Sequence, residues 1–323
     1  MHHHRQWKVP FKEQAMFNDE PWPVPSACDV TTASFLQDLQ PQLRRWKSIM
    51  AGNDPNSVER QIELITWNDS IYRSYNEALR IASKRKGSYA PAPSLAEMVH
   101  DAFAVRQMMA VRRLLERKAN APKKQVYSIR TVLHEIKENR KLITRENYVC
   151  YDGTKYTYDP FHKDWRAAHT SEVRHLVFDS LSGKTSINRT RSDLIENDLF
   201  DTLETQLQKD KFLQTYINKY VAHGADPKNR TRVDLSRHRI TLLYLQKLYK
   251  LVIWASNIIG KMIDQLVLTE VSTPNFDQFE GWDNPLMRDT DKVKLARYWS
   301  NRTDLYRTWF QQYWNTVMLY KEP

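Results

Sequence analysis

His223 closes the helical stretch Ile217-Asn218-Lys219-Tyr220-Val221-Ala222-His223, and Gly224 and Pro227 stop it. From Ala222 to Arg239 the chain also places Asp226, Lys228, Arg230, Arg232, Asp234, Arg237, His238 and Arg239. A histidine titrates near neutral pH, so at a helix end it either caps carbonyls as a dipole-stabilised cation or moves protons. Arginine forks grip phosphate oxygens, and the start of a following helix adds backbone N–H donors. Metal-free RNA cleavage uses such parts: a histidine at the 2′-hydroxyl or leaving oxygen, and cations for the charge on phosphorus. The competing reading is a charged connector with internal ion pairs and a capping histidine.

The chain has a second basic concentration. Its net charge is +11, and between Arg106 and Arg145 twelve Lys/Arg face three acids, an excess of nine. Arg112, Arg113, Arg117, Lys118, Lys123, Lys124 and Arg130 belong to it, and Arg237 and Arg239 extend the basic set beyond His223. Such density suits RNA or another polyanion as partner. Solvated outer faces of long helices account for the same charges equally well.

Helices must position these groups. Six of the seven glycines fall at breaks, and apolar residues recur at helical spacing, as in Ile62, Ile65, Tyr72 and Leu79. The pattern predicts helices over about 32–50, 55–86, 94–119, 123–147, 165–182, 192–223, 235–269 and 289–319. The 235–269 segment is the most apolar and is expected at the centre, spanning roughly 50 Å. The fold class is therefore all-α, a multi-helix bundle. Residues 1–30, with Pro21-Trp22-Pro23-Val24-Pro25, read as an extended arm, and 31–323 as a single helical domain. Tyr148 to Tyr158 reads as a small Tyr-rich flap turning at Asp152-Gly153.

Other classes lack support. No Gly-rich phosphate loop, Walker-type motif or serine nucleophile elbow occurs, so no cofactor is expected. Cys28 and Cys150 lie far apart without ligand spacing, which suits a reducing cytoplasm and argues against disulfides and cysteine-bound zinc. Mean hydropathy is −0.68, and no uncharged stretch reaches membrane-spanning length. The aromatics of the last helix, including Trp299, Tyr306, Phe310, Tyr313 and Trp314, are expected to pack against the bundle or a partner rather than on bases. Asp69 and Glu77, and Asp193, Glu196 and Asp201, read as solvated faces of polar helices.

Lys219 to His223, with Asp226, resemble the motif segment of the HEPN superfamily, and more narrowly its abortive-infection branch usually called AbiU-like. Members of that branch often carry Arg-Asp-Lys-x-x-Ala-His. Val111-Arg112-Arg113-Leu114-Leu115-Glu116 and Tyr127-Ser128-Ile129-Arg130, with Leu133, resemble the branch's Arg-Leu and Ser-Leu helical pair. The likeness runs over roughly residues 55–270. It implies a HEPN-like four-helix core, at about 94–270, and a homodimer whose motif helices form a composite cleft. It also implies an RNA-directed role in phage defence, with metal-independent cleavage by the catalytic members. His223 falls on the motif histidine, and Asn218 and Lys219 on the polar pair before it. The motif arginine falls on Ile217, or on Asn218 in the shorter alignment, leaving Arg230 or Arg232 to brace phosphate. The missing arginine fits a non-catalytic interaction module as well, and a purely structural helical dimer is the third reading.

Overall fold

The computed structural model describes residues 30–84, 93–116, 126–150, 165–208, 211–222, 240–263, 273–274, 277–280 and 289–318, with backbone alone at 93–95, 165–172, 211–212, 220, 222, 289 and 313–318. The N-terminal arm to residue 29 and most of the Tyr-rich segment lie outside them. A π-helical turn, Ser34–Leu39, leads into α1 (Gln40–Ala51), followed by α2 (Val58–Ala82), α3 (Pro93–Leu114), α4 (Ile129–Glu138) and α5 (Arg145–Val149). Then come α6 (Trp165–Ser182), α7 (Asn197–Gln208), α8 (Lys211–Tyr216), a second π-helical turn (Ile217–Ala222), α9 (Leu242–Met262) and α10 (Asp289–Met318). Among the described residues β pairing is confined to one isolated bridge, Thr144 with Leu194. The protein is an all-α bundle.

Side-chain caps explain where expected helices shift or split. Ser57 accepts from the Arg60 amide at 3.4 Å, so α2 starts at Val58 rather than at Pro55. The segment expected as one helix over 123–147 divides. Asn139 donates its side-chain amide to the Glu135 carbonyl at 2.9 Å, ending α4. A 3₁₀ turn, Arg140–Leu142, follows, and Thr144 then caps α5 by accepting from the Asn147 amide at 3.2 Å. Tyr148, placed in a flap by its sequence, is the fourth residue of α5. Gly183 ends α6 with φ +67°, and a Cβ there would run into the Glu196 carboxylate.

α9 is the centre of the bundle, packed by α1, α2, α3, α4, α6, α7 and α10. Leu245, Tyr249, Val252, Ile253, Ile259 and Met262 are buried along it, in one contiguous apolar core that reaches from Val30 to Trp309. Its described length of about 31 Å is shorter than the sequence expectation, because the helix is capped at Thr241 and ends at Met262. The aromatic helix α10 does pack inward: Trp299, Tyr306 and Trp309 are buried. Trp299 meets Trp67 edge-on at 5.1 Å and joins Ala78, Phe279 and Leu295 in a satellite cluster.

Two acidic residues are buried rather than solvated. Asp69 of α2 is fully inaccessible and accepts from Arg73 Nε at 2.8 Å, Arg302 Nη2 at 3.2 Å and the Tyr306 hydroxyl. Burial and the Asp69 charge hold the Tyr306 phenol above its usual range, so it stays a proton donor to the carboxylate. A second buried ion cluster ties α5, α6 and the segment before α7. Arg145, also inaccessible, lies 2.8 Å from both Asp179 and Asp193 and stacks over Phe178 at 5.0 Å. Helical periodicity placed these carboxylates on faces, but the faces are covered by neighbouring helices that supply arginine.

The cysteine reading also changes. Cys150 is disulfide-bonded, 4% exposed and left-handed at φ 65° as the C-cap of α5. Cys28, the other cysteine of the chain, lies outside the described residues. The disulfide at Cys150 overturns the expectation of free thiols. The cytoplasmic expectation loses the support it drew from them.

Candidate nucleic-acid interface

The last turn of α3 carries Arg112 and Arg113 on adjacent positions, and burial separates them. Val111 and Leu114 are inaccessible and fix the roll of the helix, leaving Arg113 in solvent and Arg112 half-buried at the edge of a cleft. Both cations sit where the negative end of the helix dipole favours them. Ser128 joins this end to α4. Its hydroxyl donates to the Glu116 carbonyl at 2.7 Å and accepts from the Thr131 amide at 3.0 Å, so α3's end and α4's start are held together. Buried Ile129 and Val132 then turn Arg130 toward the same cleft.

The opposite wall comes from α7, α8 and the second π turn. Leu213 and Ile217 are buried, and Asn218 lines the cleft. π turns insert an extra residue per turn, and they recur where a helix face has been re-aimed at a functional site. The resulting cleft has a volume of about 450 Å³, within the roughly 300–1,000 Å³ usual for ligand sites. Arg112, Leu115, Glu116, Arg130, Leu207, Gln208, Leu213, Gln214, Thr215 and Asn218 line it. Leucines form apolar lining, and two guanidiniums, one carboxylate, three side-chain amides and the Thr215 hydroxyl provide its polar groups.

Charge and hydrogen-bond status distinguish these groups. The Arg112 side chain makes no hydrogen bond or ion pair among the described residues. Asn218 Oδ1 is buried and has no hydrogen-bond partner. Half-buried Arg112 and Asn218 thus line one cavity, and the buried Asn218 Oδ1 costs stability unless something else binds it.

The structure sorts the basic residues named from sequence. Arg112, Arg130 and Asn218 meet at the cleft, Arg113 lies outside it, and half-buried Lys219 follows Asn218 on the π turn. Arg145 is internal, Lys137 binds Asp201 and Glu204 at 3.0 and 3.2 Å, and Arg140 donates to the Ile195 carbonyl, so these cations serve the fold rather than a partner. Arg117, Lys118, Lys123 and Lys124 lie outside the described residues, as do His223, Asp226, Arg230, Arg232, Arg237 and Arg239. Ile217 is inaccessible, so the position where the resemblance places an arginine is a core position.

Sequence reading missed the joining of Arg112 and Arg130 to Asn218, since their separation along the chain hides it. The signal available was that each stands beside residues that must be buried. Other shifted groups lie away from the cleft lining. Burial, then Glu63, raises Glu59 to about 7; burial lowers Lys261 to about 8; burial, then Arg189 and Arg145, lowers His175 to about 4. Among the described residues no cluster of His, Cys, Asp and Glu could hold a metal ion, and no helix is long and apolar enough to cross a membrane.

No protein-family model matches the chain, and neither a curated protein nor a solved structure matches it.

Proposed function

We propose that the protein is an RNA-binding helical protein of HEPN-like architecture that engages its ligand at the cleft between α3, α4 and the second π turn. The observation that carries this reading is the meeting of Arg112 and Arg130, from the two segments resembling the Arg-Leu and Ser-Leu pair, with Asn218 of the motif segment. Residues remote in sequence, selected by one resemblance, line one cavity. Phosphate neutralisation by arginine supplies affinity for any polynucleotide and makes it fall with salt.

A second reading is favoured by the order of the chain. The π turn that carries Asn218 ends at Ala222, and His223 is the next residue of the chain. In that reading His223 is general acid/base in a metal-independent transesterification, with Arg230 or Arg232 as further phosphate ligands. The motif helices of two protomers would meet in a homodimer.

Titration of labelled RNA against the purified protein at several salt concentrations tests the binding reading. Affinity that falls steeply with salt is expected, and no binding at low salt would remove it. His223→Ala should abolish RNA cleavage while retaining binding. Full cleavage by that variant, or strict dependence on a divalent cation, would remove the catalytic reading.

A further inference from the structure

The cleft offers two groups of opposite demand. Arg112 is a half-buried cation with no partner among the described residues, and it calls for an anionic oxygen. Asn218 Oδ1 is a buried acceptor with no partner, and it calls for an O–H or N–H donor. Arg130 lines the same cavity and adds a second guanidinium. A bare inorganic anion answers the arginines and leaves the Asn218 carbonyl unmatched. A deoxyribose phosphate has no hydroxyl at the 2′ position, so a donor to Asn218 must come from its base. A ribose phosphate answers both, since its 2′-hydroxyl is a donor close to the phosphate on the same nucleotide.

We infer that the cleft is a ribose-phosphate subsite, in which Arg112 and Arg130 bind a phosphate of single-stranded RNA and Asn218 Oδ1 accepts from a 2′-hydroxyl. This deepens the RNA-binding reading and rests on it. Leu115, Leu207 and Leu213 give the sugar and base apolar surface, while Gln208 and Gln214 border it. Access favours a single strand, because a cavity of about 450 Å³ holds a nucleotide-sized group and not a duplex. Two consequences follow. The guanidinium missing from the motif position, where Ile217 is core and Asn218 is an amide, is replaced in space by arginines of α3 and α4. Glu116, which lines the same cavity, opposes phosphate and tunes its affinity downward.

The test compares a short fluorescent oligouridylate with oligodeoxyuridylate of the same length, by anisotropy over a series of salt concentrations, on the full chain. Wild type should bind the ribose strand roughly three- to tenfold more tightly, the worth of one hydrogen bond. Asn218→Leu should remove that preference with little effect on the deoxy strand. Arg112→Gln should weaken both by about tenfold or more and reduce the salt slope by about 0.7 for each phosphate no longer neutralised. Arg113→Gln, the neighbouring exposed arginine, should change affinity far less, and Glu116→Gln should tighten binding. Circular dichroism melts of each variant establish that it is folded.

Equal affinity of wild type for the two strands would overturn the ribose assignment while leaving RNA binding in place. Equal losses in Arg112→Gln and Arg113→Gln would show diffuse surface attraction and overturn the cleft. Absence of binding to either strand by wild type would overturn both the subsite and the function on which it rests.

Discussion

Replacing Asp69 by alanine should destabilise the protein by about 3–5 kcal/mol, the usual cost of breaking a buried ion pair on one side. The geometry sets this magnitude. Asp69 is shut off from solvent, and the two guanidiniums that bind it, Arg73 and Arg302, have side chains only 12% exposed. Neither cation can turn to water without leaving its helix's packed face, so the variant leaves two desolvated charges and an unmatched Tyr306 hydroxyl. Unfolding entropy is about 2.1 cal/mol/K per residue, or roughly 0.7 kcal/mol/K for a chain of 323 residues. The midpoint should therefore drop by about 4–7 °C.

Calorimetric melts provide the assay, with urea titrations to confirm that the slope is unchanged. Two further variants separate the ion network from simple packing. Asp69→Leu with Arg73→Met and Arg302→Met removes all the charges, and should recover much of the loss because apolar replacements of a buried network are often neutral or better. Arg60→Gln breaks the Arg60–Glu63 pair on the surface of α2, at 2.8 Å, and should cost no more than about 1 kcal/mol. A loss below about 1 kcal/mol in Asp69→Ala would show that water reaches this site, and would refute the reasoning from burial.

The other predictions are local. His175 is neutral in the folded protein until about pH 4, whereas the unfolded chain takes a proton near 6.5, so its contribution makes stability fall as pH drops between those values, by at most about 3 kcal/mol. Glu59, raised to about 7 from 4.5, acts oppositely by lowering stability as pH rises through that window; Glu59→Gln should stabilise the protein at pH 8 and leave the His175 slope visible in urea titrations between pH 4 and 6.5. Thiol titration of the denatured, unreduced protein should find no free sulfhydryl, and reduction should lower the midpoint by the equivalent of about 2–5 kcal/mol. Gly183→Ala should cost about 1–3 kcal/mol, since φ +67° is strained for alanine and its methyl displaces Glu196; an unchanged melt would mean that the turn rearranges freely.

Sequence periodicity located most helices because each carries its own apolar stripe. Ile62, Ile65, Tyr72 and Leu79 marked α2 without any knowledge of its neighbours, with the first three buried and Leu79 half-buried, and Trp165–Ser182 emerged with the bounds expected. Boundaries set by single side chains were less legible. Asn139 turns its amide onto the carbonyl of Glu135, and nothing in the periodic pattern separates that role from an ordinary exposed asparagine. Buried charge was illegible for a deeper reason. Asp69 lies four residues from Arg73, which reads as a surface pair, and only the arrival of α10 with Arg302 and Tyr306 converts it into core.

The same limit governs the cleft. Arg112 and Arg113 are chemically identical neighbours, and a count of charge gives them equal weight as partners for a polyanion. Packing separates them, because buried Val111 and Leu114 orient one guanidinium into a cavity and the other into water. The missing motif arginine was a deficit along the sequence, where each position is judged by its place in the motif alone. A phosphate has no access to that ordering and responds only to cations within reach. The inaccessible Ile217 could not present a charge to it without tearing the core, whereas α3 and α4 bring guanidiniums to the opposite wall at no such cost. On the proposed reading, the site keeps its chemistry while its residues change address, provided the helices that carry them remain locked together. In this protein that lock is the Ser128 hydroxyl, which joins the end of α3 to the start of α4 and thereby fixes the distance between Arg112 and Arg130.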